Sequence, residues 1–217
     1  MQNIFTITAI DRMFFYEGCK VIGQLPIDMI SKASDFASNI DYKEDRFKRT
    51  EPALKYNNYL ISVPPPITEG VAYVQKLDDL DFSSISTILD ELKSWETFNN
   101  MTVFSCEISY LAPAESLIRH TDVRFYHLVG RRIQVPLLID NAYFVSQERL
   151  FKLELPNVYE IDNITTHYAI NPASTPKISL LIDFLDTKML TTEYRLNRSP
   201  RRRVLWYNTI PENDAYK

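Results

Sequence analysis

Glycine is scarce in this 217-residue sequence, with only 4 residues, whereas proline reaches 12. The glycine-rich loops that hold phosphate groups, GxGxxG and GxxxxGK[ST], are absent, and so is the GxSxG elbow of serine hydrolases. The sequence therefore gives little support to a nucleotide-binding or serine-hydrolase function.

Cysteine and long apolar runs are also nearly missing. The two cysteines, Cys19 and Cys106, are isolated and form no CxxC pair, which indicates buried or semi-buried free thiols in a reducing cytoplasm. No run approaches the roughly 20 apolar residues that a membrane-spanning helix needs. The N-terminus lacks a basic start followed by an apolar segment, so we expect a cytoplasmic protein with no membrane partner.

No strong excess of charge of either sign is present. The formal net charge is −4, and the basic stretch RSPRRR at residues 198–203 is expected to be a solvated loop. The mild net charge and the expected solvation of the basic stretch both argue against nucleic acid as a partner. A hydrophobic fraction of 45% with 12% aromatic residues instead predicts a single ordered globular domain.

The first 100 residues predict a mixture of helices and strands. Residues 26–40 have apolar side chains at helical spacing, and so do residues 83–98, where Asp81 or Ser83 can cap the start. The apolar face of the first helix is predicted to comprise Ile27, Ile30, Ala33, Ala37 and Ile40. Short strands are predicted at 4–10, 20–22 and 59–63, with a solvated loop or broken helix at 41–58.

From residue 101 onward the pattern changes to short strands separated by turns. We predict strands near 102–111, 116–122, 131–139, 149–154, 157–161, 166–170 and 177–185. Many short strands at such spacing favour a closed barrel or a two-sheet jelly roll. We expect one domain over 1–217, in which an α/β part (1–100) packs on a mainly β core (101–186) that is followed by a C-terminal extension (187–217).

Histidine is rare too, and its placement is the most informative feature of the chain. Of three histidines, His120 belongs to a His-Thr-Asp triplet with Asp122, and His167 lies in a later predicted strand. Residues two apart on an extended segment point to the same side. Two imidazoles and one carboxylate suit Fe(II) and leave metal positions open. The third histidine, His127, is expected to have a surface or loop role.

Three segments considered together resemble a known family. Residues 109–122 (SYLAPAESLIRHTD), residues 131–137 (RRIQVPL), and His167 followed ten residues later by KISLLID at 177–183 are similar to the aspartyl/asparaginyl β-hydroxylases. These enzymes are Fe(II)- and 2-oxoglutarate-dependent dioxygenases on a double-stranded β-helix. The resemblance covers roughly residues 105–186. It implies a mainly β fold with flanking helices around a double-stranded β-helix core.

The resemblance also implies roles for individual residues. His120, Asp122 and His167 would hold Fe(II). Lys177 would pair with the distal carboxylate of 2-oxoglutarate, to which Ser109 or Ser179 would add a hydroxyl contact. Arg132, or alternatively Arg131, would lie near the carboxylate that chelates iron, and Gln134 occupies a position where the animal enzyme has a second histidine.

This chain departs from the family in several respects. The segment between Asp122 and Arg132 is about three residues longer than in the animal enzyme, which leaves the choice between Arg131 and Arg132 open. Lys177 stands where an arginine is usual, which replaces a bidentate fork with a point charge. Asp122 is present, although some members lack the carboxylate, and this favours hydroxylation over halogenation.

The implied function is hydroxylation of a carbon centre, with O2 as oxidant and succinate and CO2 as co-products. The substrate is either an amino-acid-like small molecule or a peptide side chain. Two other functions stay open at this point. One is a cupin-type metalloenzyme that does not use 2-oxoglutarate, and the other is a non-catalytic binding module on an oxygenase-like β-helix.

Overall fold

Two antiparallel sheets form the framework of the described structure. The computed structural model describes residues 18–40, 56–62, 81–122 and 130–186. The strands are β1 (Cys19–Gln24), β2 (Tyr56–Ser62), β3 (Met101–Leu111), β4 (Glu115–Ser116), β5 (Arg131–Leu138), β6 (Ala142–Ser146), β7 (Arg149–Leu153), β8 (Asn157–Ile161), β9 (His167–Asn171) and β10 (Lys177–Asp186). The helices are α1 (Ile27–Ser38) and α2 (Ser83–Ser94), with a short 3-10 helix at Glu96–Phe98.

The chain alternates between the two sheets from β3 onward. The six-stranded sheet has the order β1-β8-β5-β10-β3-β2, and the four-stranded sheet has the order β4-β9-β6-β7. Strands β3, β5, β8 and β10 therefore lie in the larger sheet, while β4, the β6–β7 hairpin and β9 lie in the smaller one. This winding between two facing sheets confirms the prediction of a mainly β, double-stranded β-helix core with flanking helices.

The central strands of the larger sheet are buried on both faces. Its outer face packs against α1 and α2 in a core that includes Ile108, Val135, Leu180 and Phe184. Its inner face packs against the smaller sheet through a second cluster of Cys19, Phe144, Leu153, Tyr159 and Ile161. Both cysteines are buried and free, as the sequence predicted. None of the described helices is both long and apolar enough to cross a membrane.

Both predicted helices are present, with changes at their ends. On α1, Ile30, Ala33 and Ala37 are buried, but the prediction was wrong for Ile27, which is 59% exposed. Ile27 is the first helical residue and lies beyond the edge of the buried stripe. The second helix ends at Ser94 instead of continuing to residue 98, and its start is stabilised by the Ser83 N–H donating to the Asp81 carboxylate at 2.9 Å.

Three strand predictions need correction. Strand β2 begins at Tyr56, three residues before the predicted start at residue 59, so the loop predicted at 41–58 extends too far. The predicted strand 116–122 is wrong, because β4 stops at Ser116 and only His120 makes a further isolated bridge. Strand β6 was missed. It is joined to β7 by a tight turn in which Gln147 and Glu148 adopt positive φ without the usual Asn-Gly signal.

Some predictions fall outside the described residues. These are the strand at 4–10, most of the loop predicted at 41–58, the role of His127, and the C-terminal extension at 187–217 with its basic stretch at 198–203.

Candidate metal centre

Three side chains with metal-binding atoms converge between the two sheets. The candidate ligand atoms of His120, Asp122 and His167 all lie within 4.8 Å of one another. His167 is the first residue of β9 and is 5% exposed. His120 joins it through two backbone hydrogen bonds of 3.0 and 2.9 Å, which bring the ring centroids to 4.4 Å. The backbone thus places the two imidazoles side by side.

Both imidazoles have a fixed tautomer. Nδ1 of His120 lies 2.8 Å from the carbonyl oxygen of Ile118, and Nδ1 of His167 lies 2.9 Å from that of Thr165. Because a carbonyl oxygen can only accept, each Nδ1 must carry the proton. In the neutral imidazole Nε2 then keeps its lone pair, and Nε2 of His167 lies 3.9 Å from the Asp122 carboxylate. Backbone carbonyls commonly orient metal-binding histidines in this way.

The protonation state of His167 also suits metal binding. Burial lowers the pKa of His167, and the neighbouring Asp122 carboxylate opposes that shift only in part. The neutral imidazole is the form that coordinates a metal. A set of two neutral imidazoles and one carboxylate fits Fe(II), and these three residues would hold it.

Asp122 is held by its own neighbours. Its backbone N–H donates to the carbonyl oxygen of Asn163 at 2.8 Å. Its carboxylate Oδ2 accepts hydrogen bonds from Arg132 Nη1 at 2.7 Å and from Asn163 Nδ2 at 3.3 Å. Asp122 lies outside regular strand structure. These contacts, and not the strand geometry expected from the sequence, fix its orientation.

Asn163 leaves one buried atom without a partner. Its side chain is fully buried, and Oδ1 has no hydrogen-bond partner among the described residues. Turning the amide over would place Oδ1 against the Asp122 carboxylate, so the orientation is set by that neighbour. A buried, unpaired acceptor costs about 1–3 kcal/mol. An orphaned acceptor beside the three candidate ligands fits a site that receives a water or a ligand.

Arg132 lies on the inner face of β5, and Arg131 lies on the outer face. Arg132 makes a bidentate, two-pronged salt bridge with Asp183, in which Nε and Nη2 each lie 2.8 Å from a carboxylate oxygen. Arg131 instead binds Glu160 and the carbonyl oxygen of Thr97. Of the two arginines that the sequence left open, only Arg132 contacts the metal-ligand candidates.

The neighbouring carboxylates strongly favour the charged form of Arg132. Its burial disfavours that form, yet Asp183 and Asp122 raise the pKa of the guanidinium well above its usual value.

Lys177 is a buried cation of a different kind. It is the first residue of β10 and is 3% exposed. No hydrogen bond or ion pair joins its ammonium to any residue that the structure describes. Burial lowers the pKa of Lys177 to about 8. A buried cation without a counter-charge is a candidate anion-binding group.

The other predicted co-substrate residues lie near Lys177 in the sheet. Ser179 is fully buried on the same strand, and its hydroxyl accepts a hydrogen bond from Gln134 Nε2 at 3.2 Å. Ser109 lies on the neighbouring strand β3, directly opposite Ser179. The structure thus brings Ser109, Gln134 and Ser179 together on the inner face of the larger sheet.

Sequence reasoning missed Asn163 and Asp183. Asn163 lies in the short connection between the predicted strands 157–161 and 166–170, and no spacing signal marks it as a neighbour of Asp122. Asp183 could have been found, because it lies six residues after Lys177 in a strand and therefore on the same face. Its buried position, with 1% exposure, is that of a paired charge.

Comparisons with known proteins extend this description by fold alone. No protein-family model matches the sequence, and no curated protein matches it. Among solved structures, a Pseudomonas putida prolyl-4-hydroxylase is similar with a TM-score of 0.53 and 13% identity, over 83% of this chain and 98% of that one.

A Burkholderia pseudomallei oxidoreductase of the 2OG-Fe(II) oxygenase family is similar with a TM-score of 0.50 and 10% identity, over 84% of this chain and 93% of that one. The chain therefore has the double-stranded β-helix fold found in 2-oxoglutarate/Fe(II) oxygenases.

Proposed function

We propose that this chain is an Fe(II)- and 2-oxoglutarate-dependent dioxygenase that hydroxylates a carbon centre. The observation that carries the proposal is the convergence of His120, Asp122 and His167 within 4.8 Å. Both imidazoles keep Nδ1 bonded to a carbonyl, which leaves Nε2 for a metal. The fold shared with known oxygenases supports the same reaction class.

Fe(II) and 2-oxoglutarate would together supply O2 activation, with succinate and CO2 as co-products. The contribution of this chain is to position those groups. Three protein ligands leave the remaining metal positions open for the co-substrate and O2. The two sheets bury His167 and exclude bulk water from its side of the site.

Lys177 is proposed to bind the distal carboxylate of 2-oxoglutarate. Asn171, four residues after His167 on β9, donates to the carbonyl oxygen of Leu111, which pairs with Lys177 across the sheet. Four residues of extended chain span about 13 Å. Lys177 therefore lies near the end of β9 that is opposite to His167. Ser109 and Ser179 would add hydroxyl contacts, and Gln134 would orient Ser179.

The proposed substrate is an amino-acid residue of a peptide or an amino-acid-like small molecule. One structural neighbour, the Pseudomonas putida protein, is a prolyl-4-hydroxylase, which agrees with such a substrate class. The carboxylate of Asp122 favours transfer of a hydroxyl group over halogenation, because halogenation needs that ligand position to be vacant.

The decisive experiment is an anaerobic titration with Fe(II) and 2-oxoglutarate, monitored in the visible range. The wild-type protein should show the weak metal-to-ligand charge-transfer band of chelated 2-oxoglutarate, and His167→Ala should not. His127→Ala, which removes the third histidine of the sequence, is the matched control and should keep the band.

The two alternative functions give different results in the same titration. A cupin-type metalloenzyme would bind Fe(II) without developing the band and without forming succinate in air. A non-catalytic binding module would bind neither the metal nor 2-oxoglutarate. The absence of the band in the wild-type protein would refute the oxygenase proposal.

A further inference from the structure

A row of buried polar contacts leads from the larger sheet to Asp122. Ser105 on β3 donates its hydroxyl to the Asp183 carboxylate on β10, and Asp183 binds the Arg132 guanidinium on β5. Arg132 then donates through Nη1 to Asp122 Oδ2 at 2.7 Å. We propose that Arg132 is a positioning residue for the metal-binding carboxylate of Asp122, locked in place by Asp183. This inference rests on the proposed metal site.

The strand register explains why the row is straight. Asp183 pairs directly with Ser105 on one side and with Arg132 on the other. Cross-strand partners of this kind lie side by side on the same face of a sheet. Three neighbouring strands therefore place the hydroxyl, the carboxylate and the guanidinium in line, with the guanidinium at the end closest to Asp122.

The two-pronged contact fixes the direction of Arg132. A guanidinium is planar and rigid, so bonding Nε and Nη2 to one carboxylate determines where Nη1 points. Nη1 reaches the oxygen of Asp122 that also accepts from Asn163. Arg132 and Asp183 are 7% and 1% exposed, which leaves little water to replace a broken contact.

The charge balance separates Arg132 from Lys177. The positive charge of Arg132 already faces two carboxylates, Asp183 and Asp122. Lys177 faces no carboxylate among the described residues, and its pKa is lowered by burial alone. An incoming carboxylate therefore gains far more from Lys177. The structure thus assigns Arg132 to the metal-ligand side of the site, where the sequence resemblance placed it near the carboxylate that chelates iron.

The neighbouring pair Arg131–Glu160 offers a matched control. Arg131 is the adjacent residue on β5, and its Nε and Nη2 bind the two Glu160 oxygens at 2.8 and 2.7 Å. Glu160 is 1% exposed, as is Asp183. Both arginines lie on β5 and bind a buried carboxylate in the same way, and it is the Arg132 pair that contacts Asp122. Any general effect of breaking a buried arginine–carboxylate pair should therefore appear in both.

The experiment compares Asp183→Asn and Arg132→Lys with Glu160→Gln and Arg131→Lys. Co(II) affinity is measured by titration of the visible absorption of the ion, and Fe(II) affinity is measured anaerobically. We expect Asp183→Asn and Arg132→Lys to weaken metal affinity about 10- to 100-fold and to change the Co(II) spectrum. Glu160→Gln and Arg131→Lys should keep the wild-type metal affinity and spectrum.

The affinity for 2-oxoglutarate, measured by calorimetry at saturating Co(II), separates the two roles of Arg132. It should stay near the wild-type value in Asp183→Asn and Arg132→Lys. Unchanged metal affinity in both variants, or an equally large loss of 2-oxoglutarate affinity at saturating metal, would overturn the inference. If the wild-type protein binds no metal, the proposed function fails instead.

Folding is checked separately by circular dichroism and thermal unfolding. If Asp183→Asn does not fold, Ser105→Ala removes a single hydrogen bond from Asp183 and serves as the milder variant. It should weaken metal affinity in the same direction by a smaller factor, and a wild-type value there, together with wild-type metal affinity in Arg132→Lys, would also overturn the inference.

Discussion

The two faces of strand β10 are both largely buried but differ in chemistry. Ile178, Leu180, Ile182 and Phe184 point outward and pack against the helices. Lys177, Ser179 and Asp183 point inward, and each is at most 3% exposed. A buried apolar side chain gains free energy by leaving water, whereas a buried charge loses it unless paired. The outer face therefore stabilises the fold, and the inner face carries the polar groups that a ligand can contact.

The two faces of β5 differ in the same way, as Arg131 and Arg132 show. Both arginines form two-pronged contacts with buried carboxylates, but they lie on opposite faces of the strand. Arg131 also stacks over the ring of Phe98 at 4.9 Å, at the edge of the helix-facing core. Arg132 reaches Asp122 instead. The chemical type of a buried residue thus says less about its role than the face on which it lies.

The largest effect is expected from the outer face. Phe184 is fully buried and stacks on Phe98 with ring centroids 4.2 Å apart. Phe184→Ala should lower the free energy of unfolding by about 3–5 kcal/mol, measured by chemical denaturation. At a temperature where the variant stays folded, its metal affinity should equal that of the wild type. A strong loss of metal affinity in the folded variant would show that the two faces are not independent.

On the inner face, Lys177→Met should stabilise the fold and abolish binding of the co-substrate. Burial lowers the lysine pKa from 10.5 to about 8, which corresponds to a cost of about 3 kcal/mol for the charged form at pH 7. The variant should therefore have a higher free energy of unfolding than the wild type at pH 7, and it should lose 2-oxoglutarate binding.

The stability gain of Lys177→Met should depend on pH. Between about 8 and 10.5 the unfolded lysine keeps a proton that the folded one has lost. The stability of the wild type relative to the variant should rise with pH across that window. Denaturation at pH 7 and at pH 10 measures the change, and a destabilised variant at pH 7 would contradict the interpretation of an unpaired cation.

A smaller effect is expected for the pH dependence of 2-oxoglutarate affinity. If the ammonium of Lys177 binds the distal carboxylate, the dissociation constant should rise by up to about tenfold per pH unit above pH 8. Lys177→Arg stays protonated and should show a flatter profile. Calorimetry at a fixed Co(II) saturation tests both proteins. The same slope in both would mean that another group controls the dependence.

The smallest effect is expected where the sequence placed a core residue wrongly. Ile27→Ala at the exposed start of α1 should change the free energy of unfolding by less than about 0.5 kcal/mol. Ile30→Ala, one turn later and 1% exposed, should cost about 2–5 kcal/mol. Equal costs in thermal or chemical denaturation would show that the helix-facing core extends to Ile27.

Local patterns predicted most elements of the fold because they depend on neighbours in sequence. The helices around residues 26–40 and 83–98 and strands such as 131–139 follow from periodicity alone. Strand β6 was missed because its turn uses Gln147 and Glu148 at positive φ, which side chains of that kind rarely adopt. The irregular segment at 116–122 was taken for a strand because alternation does not reveal where backbone pairing stops.

The sequence by itself determined the types of groups available: two histidines and an aspartate able to hold Fe(II), a lysine ten residues after the second histidine, and a mainly β second half. Only the tertiary structure decided which groups meet. Asn163 and Asp183 reach the site because the chain winds between two sheets and brings distant strands into register. A buried charge is placed by the partner it finds in space, and sequence spacing cannot show that partner.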